Sequence, residues 1–292
     1  MMKVAIVTDT NGGFSSQEAK ELGIYLIPMP VLIDGKVLYE GVDLEESELY
    51  EALESNLDVT TSQPSPADII DLWTELLDNG YDEIVHIPMS SGLSGSCQSA
   101  KGYALDFDGK VHVVDNHRLS VTMKVATLEA KRLADEGKTA QEIQDYLEET
   151  SYESTIYVAV NNIEYLKRGG RISPAVSKIG TMLNIKPLLS INGEALDAYA
   201  MVRGNMKKCQ QKMIEAIKRD LGSRFSHFVK ESTYICGAGA GLTTEEREGW
   251  IAMLKEAFPG FKVLYSPLSV SLGTHTGPGA IGIGIAWSKC GL

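Results

Sequence analysis

The chain has 292 residues, of which 43% are hydrophobic and 23% charged, the composition of a globular protein with a substantial core. That length suits one large domain or two of ordinary size. The formal net charge of −12 at pH 7 repels phosphate groups and anionic lipids, so we expect neither a nucleic-acid partner nor binding to an anionic membrane surface.

The first half of the chain alternates short apolar runs with amphipathic helical patterns. The spacing from Ser15 to Glu18 matches a capping box, and Pro66 is a typical first residue of a helix. Strand, loop and helix in repeated order predict a parallel sheet with helices on both faces. The predicted strands are 4–8, 25–33 with an interruption at Pro28 and Pro30, 84–88 and 110–114. One predicted helix begins at Ser15, and the others span 45–55, 66–79, 95–104, 122–136 and 139–150.

The second half has a mixed order of elements, which indicates a separate α+β domain. The Asn192-Gly193 pair after an apolar run is a hairpin signal. We therefore predict an α/β protein with a parallel-sheet domain over 1–155 and a mixed domain over 156–292. The predicted strands here are 156–160, 185–191, 234–238, 262–267 and 280–287, and the predicted helices are 163–166, 175–183, 206–219 and 244–258.

The lack of targeting signals and of paired cysteines predicts a cytoplasmic protein without a metal site. The start of the chain lacks the long apolar stretch and small-residue cleavage site of a signal peptide. The longest apolar runs, such as 281–287, fall far short of the ~20 residues of a transmembrane helix, so we expect no stable membrane insertion. The four cysteines include no CxxC pair, which argues against a disulfide framework or a zinc site.

Two loops rich in serine and threonine are the strongest functional signals. In parallel sheets ligands bind beyond the carboxyl ends of the strands, which selects the loops 8–10, 88–96 and 115–120. Segments 90–96 and 60–66 each precede a predicted helix, where hydroxyl and N–H groups can hold an anion. A carboxylate fits such groups better than a triphosphate, which normally needs lysine, arginine or a metal. Ordinary helix caps and turns are the alternative interpretation.

Three further segments carry weaker functional signals. His275 lies in a glycine- and threonine-rich stretch, 274–280, predicted to be a loop, where a histidine can contact an anion or be structural. The basic segment 166–173 contains a glycine pair and can guide an acidic or phosphorylated partner, or be solvated charge. Segment 236–242 follows a strand but has Leu242 where a dinucleotide motif needs its last glycine, so no nicotinamide or flavin cofactor is expected.

Five segments in this order resemble the DegV family of fatty-acid-binding proteins over nearly the whole chain. They are 7–9, 60–65, 90–95, 166–172 leading into 183–189, and 274–280. The resemblance implies a carrier that holds one long-chain fatty acid in a tunnel between two α/β domains. It further implies that the carrier presents the carboxylate to an ATP-dependent fatty acid kinase, whose acyl phosphate product feeds phospholipid synthesis.

The resemblance also assigns roles to individual residues. By matching motifs, Thr61, Ser62, Ser94 and Gly95 form the carboxylate site, with His275 nearby. A second group would face the partner or lie near the site: Arg171, Arg203, Asp9 and Asp115. The resemblance to the DegV family also implies a non-enzymatic subunit without its own ATP site or cofactor. A monomer is the default expectation for a carrier that must dock on a partner.

The sequence departs from the family pattern after the strand that ends at Asp115. The loop 116–120 reads Asn-His-Arg-Leu-Ser, where serine and small residues are usual, and Met123 stands where glycine is common. We expect this loop to lie near the pocket, where it can change the acyl preference. Residues of the segment 179–185 are expected to line the tunnel or to be ordinary core, namely Ile179, Met182, Leu183 and Ile185.

Two other functions are compatible with the sequence. The first is a serine acyl hydrolase that uses Ser94 with His275, since 92–96 nearly spells a nucleophile elbow. Its last glycine is replaced by Ser96, and no acid lies near His275 in the sequence to orient it. The second is a regulatory protein with an incidental lipid cavity.

Overall fold

The computed structural model describes residues 2–177, 185–193 and 195–288. The strands are β1 (Val4–Asp9), β2 (Ile24–Ile27), β3 (Pro30–Ile33), β4 (Lys36–Tyr39), β5 (Val59–Thr61), β6 (Glu83–Ile87), β7 (Val111–Val113), β8 (Ser154–Ala159), β9 (Ile185–Ile191), β10 (Asp197–Arg203), β11 (Thr233–Gly239), β12 (Lys262–Pro267) and β13 (Ile281–Trp287). The helices are α1 (Ser16–Leu22), α2 (Glu46–Glu54), α3 (Pro66–Asp78), α4 (Ser96–Ala104), α5 (Ser120–Asp135), α6 (Ala140–Glu149), α7 (Ile163–Gly169), α8 (Pro174–Ser177), α9 (Met206–Leu221), α10 (Thr244–Ala257) and α11 (Val270–Thr276).

A four-stranded parallel sheet in the order β2-β1-β6-β7 organises the first half. Successive side chains of a strand point to opposite faces. Ala5 and Val7 therefore pack with α3 and α4, whereas Val4 and Ile6 pack with α5 and α6. The prediction of a parallel sheet with helices on both faces is confirmed.

A small antiparallel sheet, β4-β3-β5, was not predicted. The strand predicted over 25–33 is interrupted as expected, but its two parts belong to different sheets, because the chain leaves the parallel sheet after β2 and enters the small sheet at β3. Pro28 and Pro30 flank this break, and proline cannot donate a ladder hydrogen bond. The small sheet carries Thr61 at the end of β5 and so places the 60–66 segment beside the second half.

A six-stranded sheet in the order β10-β9-β8-β13-β11-β12 organises the second half. β11 and β12 are parallel, and the other pairs are antiparallel. The hairpin predicted at Asn192-Gly193 is present between β9 and β10. One face packs against α9 and α10 in a core that contains Met213 and Trp250. The predicted helix 175–183 begins at Pro174, and its residues 178–183 lie outside the described ranges.

Helix α5 lies between the two large sheets and joins the two halves. It packs against β1 on one side and against β11 and β13 on the other. Ala126 and Ala130 belong to the core of the parallel sheet, whereas Met123 and Val125 belong to a core shared with the second half. The domain boundary near residue 155 stays a prediction, with β8 beginning at Ser154. Across the described ranges, no helix combines the length and apolar character needed to cross a bilayer.

Candidate functional site

A narrow, mostly apolar cavity lies between the two halves of the chain. About 940 Å³ of empty space lies between its walls, counting the part open to solvent, but only about 100 Å³ is wide enough for the centre of a water molecule. Both halves contribute apolar side chains, which are Met29, Met89, Leu93, Leu119, Val121, Ile156, Val158, Leu166, Ile191, Leu196, Cys236, Ala238, Leu268 and Leu272. A narrow apolar passage suits an unbranched chain better than a bulky ring system.

Polar groups from three elements meet in the cavity wall. The Thr61 hydroxyl at the end of β5 lies 2.7 Å from Nε2 of His275 in the last turn of α11. These two residues are 214 positions apart, so the small sheet and α11 together create the contact. Ser62, Ser94 and Arg171 also line the cavity. Four of the predicted carboxylate-binding residues are therefore brought together.

The prediction that His275 lies in a loop is wrong, because the residue is helical. Ser269 caps α11 by accepting a hydrogen bond from the Leu272 N–H, and Gly277 ends the helix with φ +71°. The hydroxyls of Thr274 and Thr276 donate to carbonyls one turn earlier. These bonds let a glycine- and threonine-rich segment form a helix, which fixes the direction of the His275 ring.

His275 packs directly on Gly169, the first glycine of the pair in the basic segment. An ideal Cβ on Gly169 would lie 2.1 Å from Nδ1 of His275, so a residue with a side chain does not fit. Gly170 ends α7 with φ +67° and has nothing within 4 Å of its Cβ position. The imidazole of His275 therefore approaches the backbone at Gly169 more closely than any residue with a side chain would allow.

Burial and the nearby Arg171 guanidinium lower the pKa of His275 to about 4. The imidazole is therefore neutral at pH 7 and offers one N–H donor and one ring-nitrogen acceptor. Arg171 is exposed and donates to the carbonyl of Gly169. It is the one charged side chain among the described residues that line the cavity.

The serine-rich loop contributes Ser94 to the polar wall. Ser94 Oγ accepts a hydrogen bond from the Ser96 N–H at 3.2 Å and lies 2.7 Å from Ser96 Oγ. Gly95 is the N-cap of α4 and is not among the lining residues. Its Cβ position lies 3.4 Å from Oε1 of Gln63, a lining residue that was not predicted although it stands in the quoted 60–66 motif.

The other predicted residues lie away from the cavity wall. Asp9 is buried and accepts hydrogen bonds from the N–H groups of Asn11 and Met89, and burial raises its pKa to about 6. Asp115 accepts from the Ser91 N–H at 3.3 Å. Both carboxylates position loops at the carboxyl ends of the strands. Arg203 is an exposed residue at the end of β10 and does not line the cavity.

The glycines of segment 236–241 leave room for neighbouring side chains. Leu254 of α10 comes within 2.7 Å of the Cβ position of Gly237, and Leu242 comes within 2.2 Å of that of Gly239. The alternate residues Cys236 and Ala238 face the cavity. Within the described ranges, no group of three or more metal-ligating side chains could hold a metal ion.

The hydrolase alternative needs a direct contact between Ser94 and His275. The hydrogen bonds described place Ser94 against Ser96 and His275 against Thr61, so the catalytic pair is not formed. No carboxylate orients His275 among the described hydrogen bonds. The geometry therefore provides hydrogen-bonding groups at a cavity wall without an assembled nucleophile.

Comparison with known proteins identifies the family. The model of the uncharacterised DegV protein family matches residues 3–287. This chain belongs to the DegV family. It is 31% identical over 289 residues to a DegV domain-containing protein of Caldanaerobacter subterraneus, covering 97% of this chain and 98% of that one.

Solved DegV structures share the fold over almost their full length. A fatty-acid-binding DegV family protein from Thermus thermophilus superposes with a TM-score of 0.86 at 27% identity, covering 98% of this chain and 100% of that one. DegV of Bacillus subtilis, a fatty acid binding protein, gives 0.85 at 26% identity, with the same coverage. The mixed α/β fold with an N-terminal parallel sheet is therefore confirmed by the family as well as by the strand order.

The loop in which the sequence departs from the DegV pattern reaches the cavity. Leu119 and Ser120 line it, while Arg118 is buried and donates to the carbonyl of Thr150 at 2.6 Å. His117 stacks on Tyr152 with ring centroids 4.8 Å apart. Arg118 and His117 thus pack against other parts of the chain, while Leu119 and Ser120 stand in the cavity wall.

Acidification is expected to destabilise the wild-type protein more than a His275→Gln variant. The folded-state pKa of His275, about 4, lies below its usual 6.5, so the unfolded chain takes up the proton first. The His275 contribution to the free energy of unfolding is therefore intact above about pH 7 and falls as the pH drops through about 4, by up to about 3 kcal/mol. Urea unfolding of both proteins at neutral and acidic pH measures the difference. A parallel decline in the two proteins would contradict the burial of a neutral imidazole.

Proposed function

We propose that this chain binds one long-chain fatty acid, with the carboxylate at Thr61, Ser94 and His275 and the acyl chain in the apolar cavity. The observation that carries the proposal is the combination of a narrow apolar passage with a cluster of hydroxyls and one neutral imidazole in its wall. The fatty-acid-binding DegV proteins of Thermus thermophilus and Bacillus subtilis support it through their shared fold.

The apolar walls account for affinity. Each methylene removed from water contributes about 0.8 kcal/mol, so a long chain gains enough to exceed the entropy lost on binding. The walls come from β8, β11 and β13 on one side and from α5 and α11 on the other. A chain held between these elements is shielded from water along most of its length.

The polar wall accounts for the head group. A buried carboxylate needs hydrogen-bond donors, and donors to a charged acceptor contribute about 1.5–3 kcal/mol each. Three uncharged groups can donate these hydrogen bonds at pH 7, namely the hydroxyls of Thr61 and Ser94 and the N–H group of His275. Arg171 adds a positive charge at the edge of the site, where it is exposed to a partner.

We assign the chain the role of a cytoplasmic carrier that presents the carboxylate to an ATP-dependent kinase. The kinase would form an acyl phosphate that enters phospholipid synthesis, and the carrier itself would act as a monomer without a cofactor. Exposed Arg171 and Arg203 are available to such a partner. When the fatty-acid-loaded protein is incubated with MgATP alone, we expect no acyl phosphate to form. Hydroxylamine, which traps an acyl phosphate as a hydroxamate, checks this. Acyl phosphate formed by this chain alone would refute the carrier role.

Native mass spectrometry with fatty-acid extraction tests the binding proposal. The wild-type protein is expected to carry one long-chain acid per chain, and Ser94→Ala to weaken binding about tenfold, since it removes one hydrogen bond to a charged group. Ser91→Ala is the matched control, because Ser91 is exposed in the same loop and does not line the cavity. A wild-type protein that is empty and takes up neither palmitate nor oleate would refute the proposal.

A further inference from the structure

An unpaired hydroxyl lies in the cavity wall at the first turn of α5. Ser120 begins this helix, is only 6% exposed, and lines the cavity with Val121 and Thr122. Its Oγ has no hydrogen-bond partner among the residues that the structure describes. Buried hydroxyls are normally paired, because a hydroxyl that leaves water without a new partner loses a hydrogen bond. This oxygen is therefore available to a ligand.

The backbone at the same place is also open to an acceptor. The N–H groups in the first turn of an α-helix have no hydrogen-bond partner within the helix. At α5 the N-cap residue is Leu119, whose side chain cannot accept a hydrogen bond from them. The helix has 16 residues, and its N-terminus carries a partial positive charge. Ser120 itself has φ +51°, in the left-handed region that favours glycine. An uncommon conformation thus holds its hydroxyl in the wall.

Four of the other hydroxyl groups in the lining already have hydrogen-bond partners. Thr122 donates to the Leu119 carbonyl at 2.7 Å, and Thr276 donates to the Leu272 carbonyl at 3.1 Å. Thr61 and Ser94 form the contacts of the carboxylate site described above. Ser120 thus differs from these four in lacking a partner. A saturated acyl chain provides none, since it has no polar atom beyond its carboxyl group.

The α5 end occupies a different wall from the carboxylate site. The methyl group of Thr122 packs on β13, 2.8 Å from the Cβ position of Gly284, whose neighbours across the sheet are Ile156 and Cys236. Those residues line the cavity among apolar side chains. The His275 end is built instead from β5, α7 and α11. One ligand can therefore meet both polar groups at different points along its length.

We propose that the N-terminus of α5 is a second polar subsite, which receives a hydroxyl or keto oxygen carried on the acyl chain. This inference rests on the proposed function and names oxygenated long-chain fatty acids as the preferred class. A ligand hydroxyl would accept from the first-turn N–H groups and donate to Ser120 Oγ, whereas a keto oxygen would accept from the Ser120 hydroxyl.

Competition binding with a positional series tests the subsite. The ligands are octadecanoic acid and hydroxyoctadecanoic acids that differ only in the position of the hydroxyl. At least one isomer is expected to bind the wild-type protein about fivefold more tightly than octadecanoic acid, as one net hydrogen bond allows. This preference should vanish in Ser120→Ala, which keeps the Cβ atom, and in Ser120→Gly, which also relieves the positive φ.

Each outcome decides the proposal. A wild-type protein that prefers no isomer, or a preference that survives in both variants, overturns the subsite while octadecanoic acid binding upholds the proposed function. Loss of octadecanoic acid affinity in Ser120→Ala equal to that in Ser94→Ala would place the carboxylate at α5 and also overturn it. A wild-type protein that binds no acid of the series would refute the proposed function and the subsite together.

Discussion

Replacement of Gly169 by alanine is expected to weaken fatty-acid binding by about a hundredfold while the protein stays folded. The added Cβ would lie 2.1 Å from Nδ1 of His275, so the imidazole must leave its position. Thr61 would then lose the partner that holds its hydroxyl at 2.7 Å. Two groups that serve the carboxylate are displaced together, and each contributes about 1.5–3 kcal/mol toward a charged acceptor.

The helix itself gives the opposite expectation for this substitution. Gly169 is the last residue of α7, and glycine in a helix is less favourable than alanine by about 1 kcal/mol. Without His275 the change would therefore be neutral or stabilising, which makes the double variant with His275→Ala informative. In that background Gly169→Ala is expected to cause no further loss of binding, because the group it displaces is already absent.

Gly170→Asn is the matched control. Gly170 has open space around its Cβ position, and asparagine tolerates its φ of +67° better than other residues with a side chain. Calorimetric titration with palmitate should therefore give wild-type affinity for Gly170→Asn and a large loss for Gly169→Ala. Equal affinity in these two variants would show that the position of His275 does not matter to the ligand.

The parallel sheet was predictable because its buried strands are short apolar runs between helical patterns. The small sheet was not, since β4 and β5 are three or four residues long and half-exposed, so they carry no clear period. Helix α11 was hidden by Gly273 and its threonines, and its form depends on the Ser269 cap and on packing against α2 and α7. Local patterns do not contain such tertiary contacts.

The site was predictable in its residues but not in its contacts. The family motifs pointed to Thr61, Ser94 and His275, and the cavity wall contains all three. Nothing in a single sequence shows that His275 rests on Gly169, because the two belong to elements that meet only in the folded chain. The unpaired state of Ser120 likewise depends on the side chains that surround α5.

Replacement of Gly282 by leucine is expected to abolish long-chain binding, because the new side chain would occupy the cavity. Gly282 lines the cavity in the middle of the six-stranded sheet, where its cross-strand neighbours Val158 and Ala238 also line it. The nearest atoms to its Cβ position are the Tyr157 carbonyl oxygen at 3.6 Å and the Ala238 Cβ at 3.8 Å, which are ordinary contacts. The strand therefore tolerates a side chain, and a leucine extends from it into the space of the acyl chain.

A graded series at β13 separates obstruction of the cavity from damage to the fold. Gly282→Ala adds one methyl group and is expected to keep palmitate affinity within about threefold, whereas Gly282→Leu should lose at least about a hundredfold, since several methylenes lose their burial. Gly284→Ala should instead lower the melting temperature, because its Cβ would lie 2.8 Å from Thr122 and 3.1 Å from the Thr155 carbonyl. Measured melting temperatures and palmitate affinities of the three variants check this order. Wild-type affinity in a folded Gly282→Leu protein would mean that the acyl chain lies elsewhere, because no long chain can share this space with a leucine side chain.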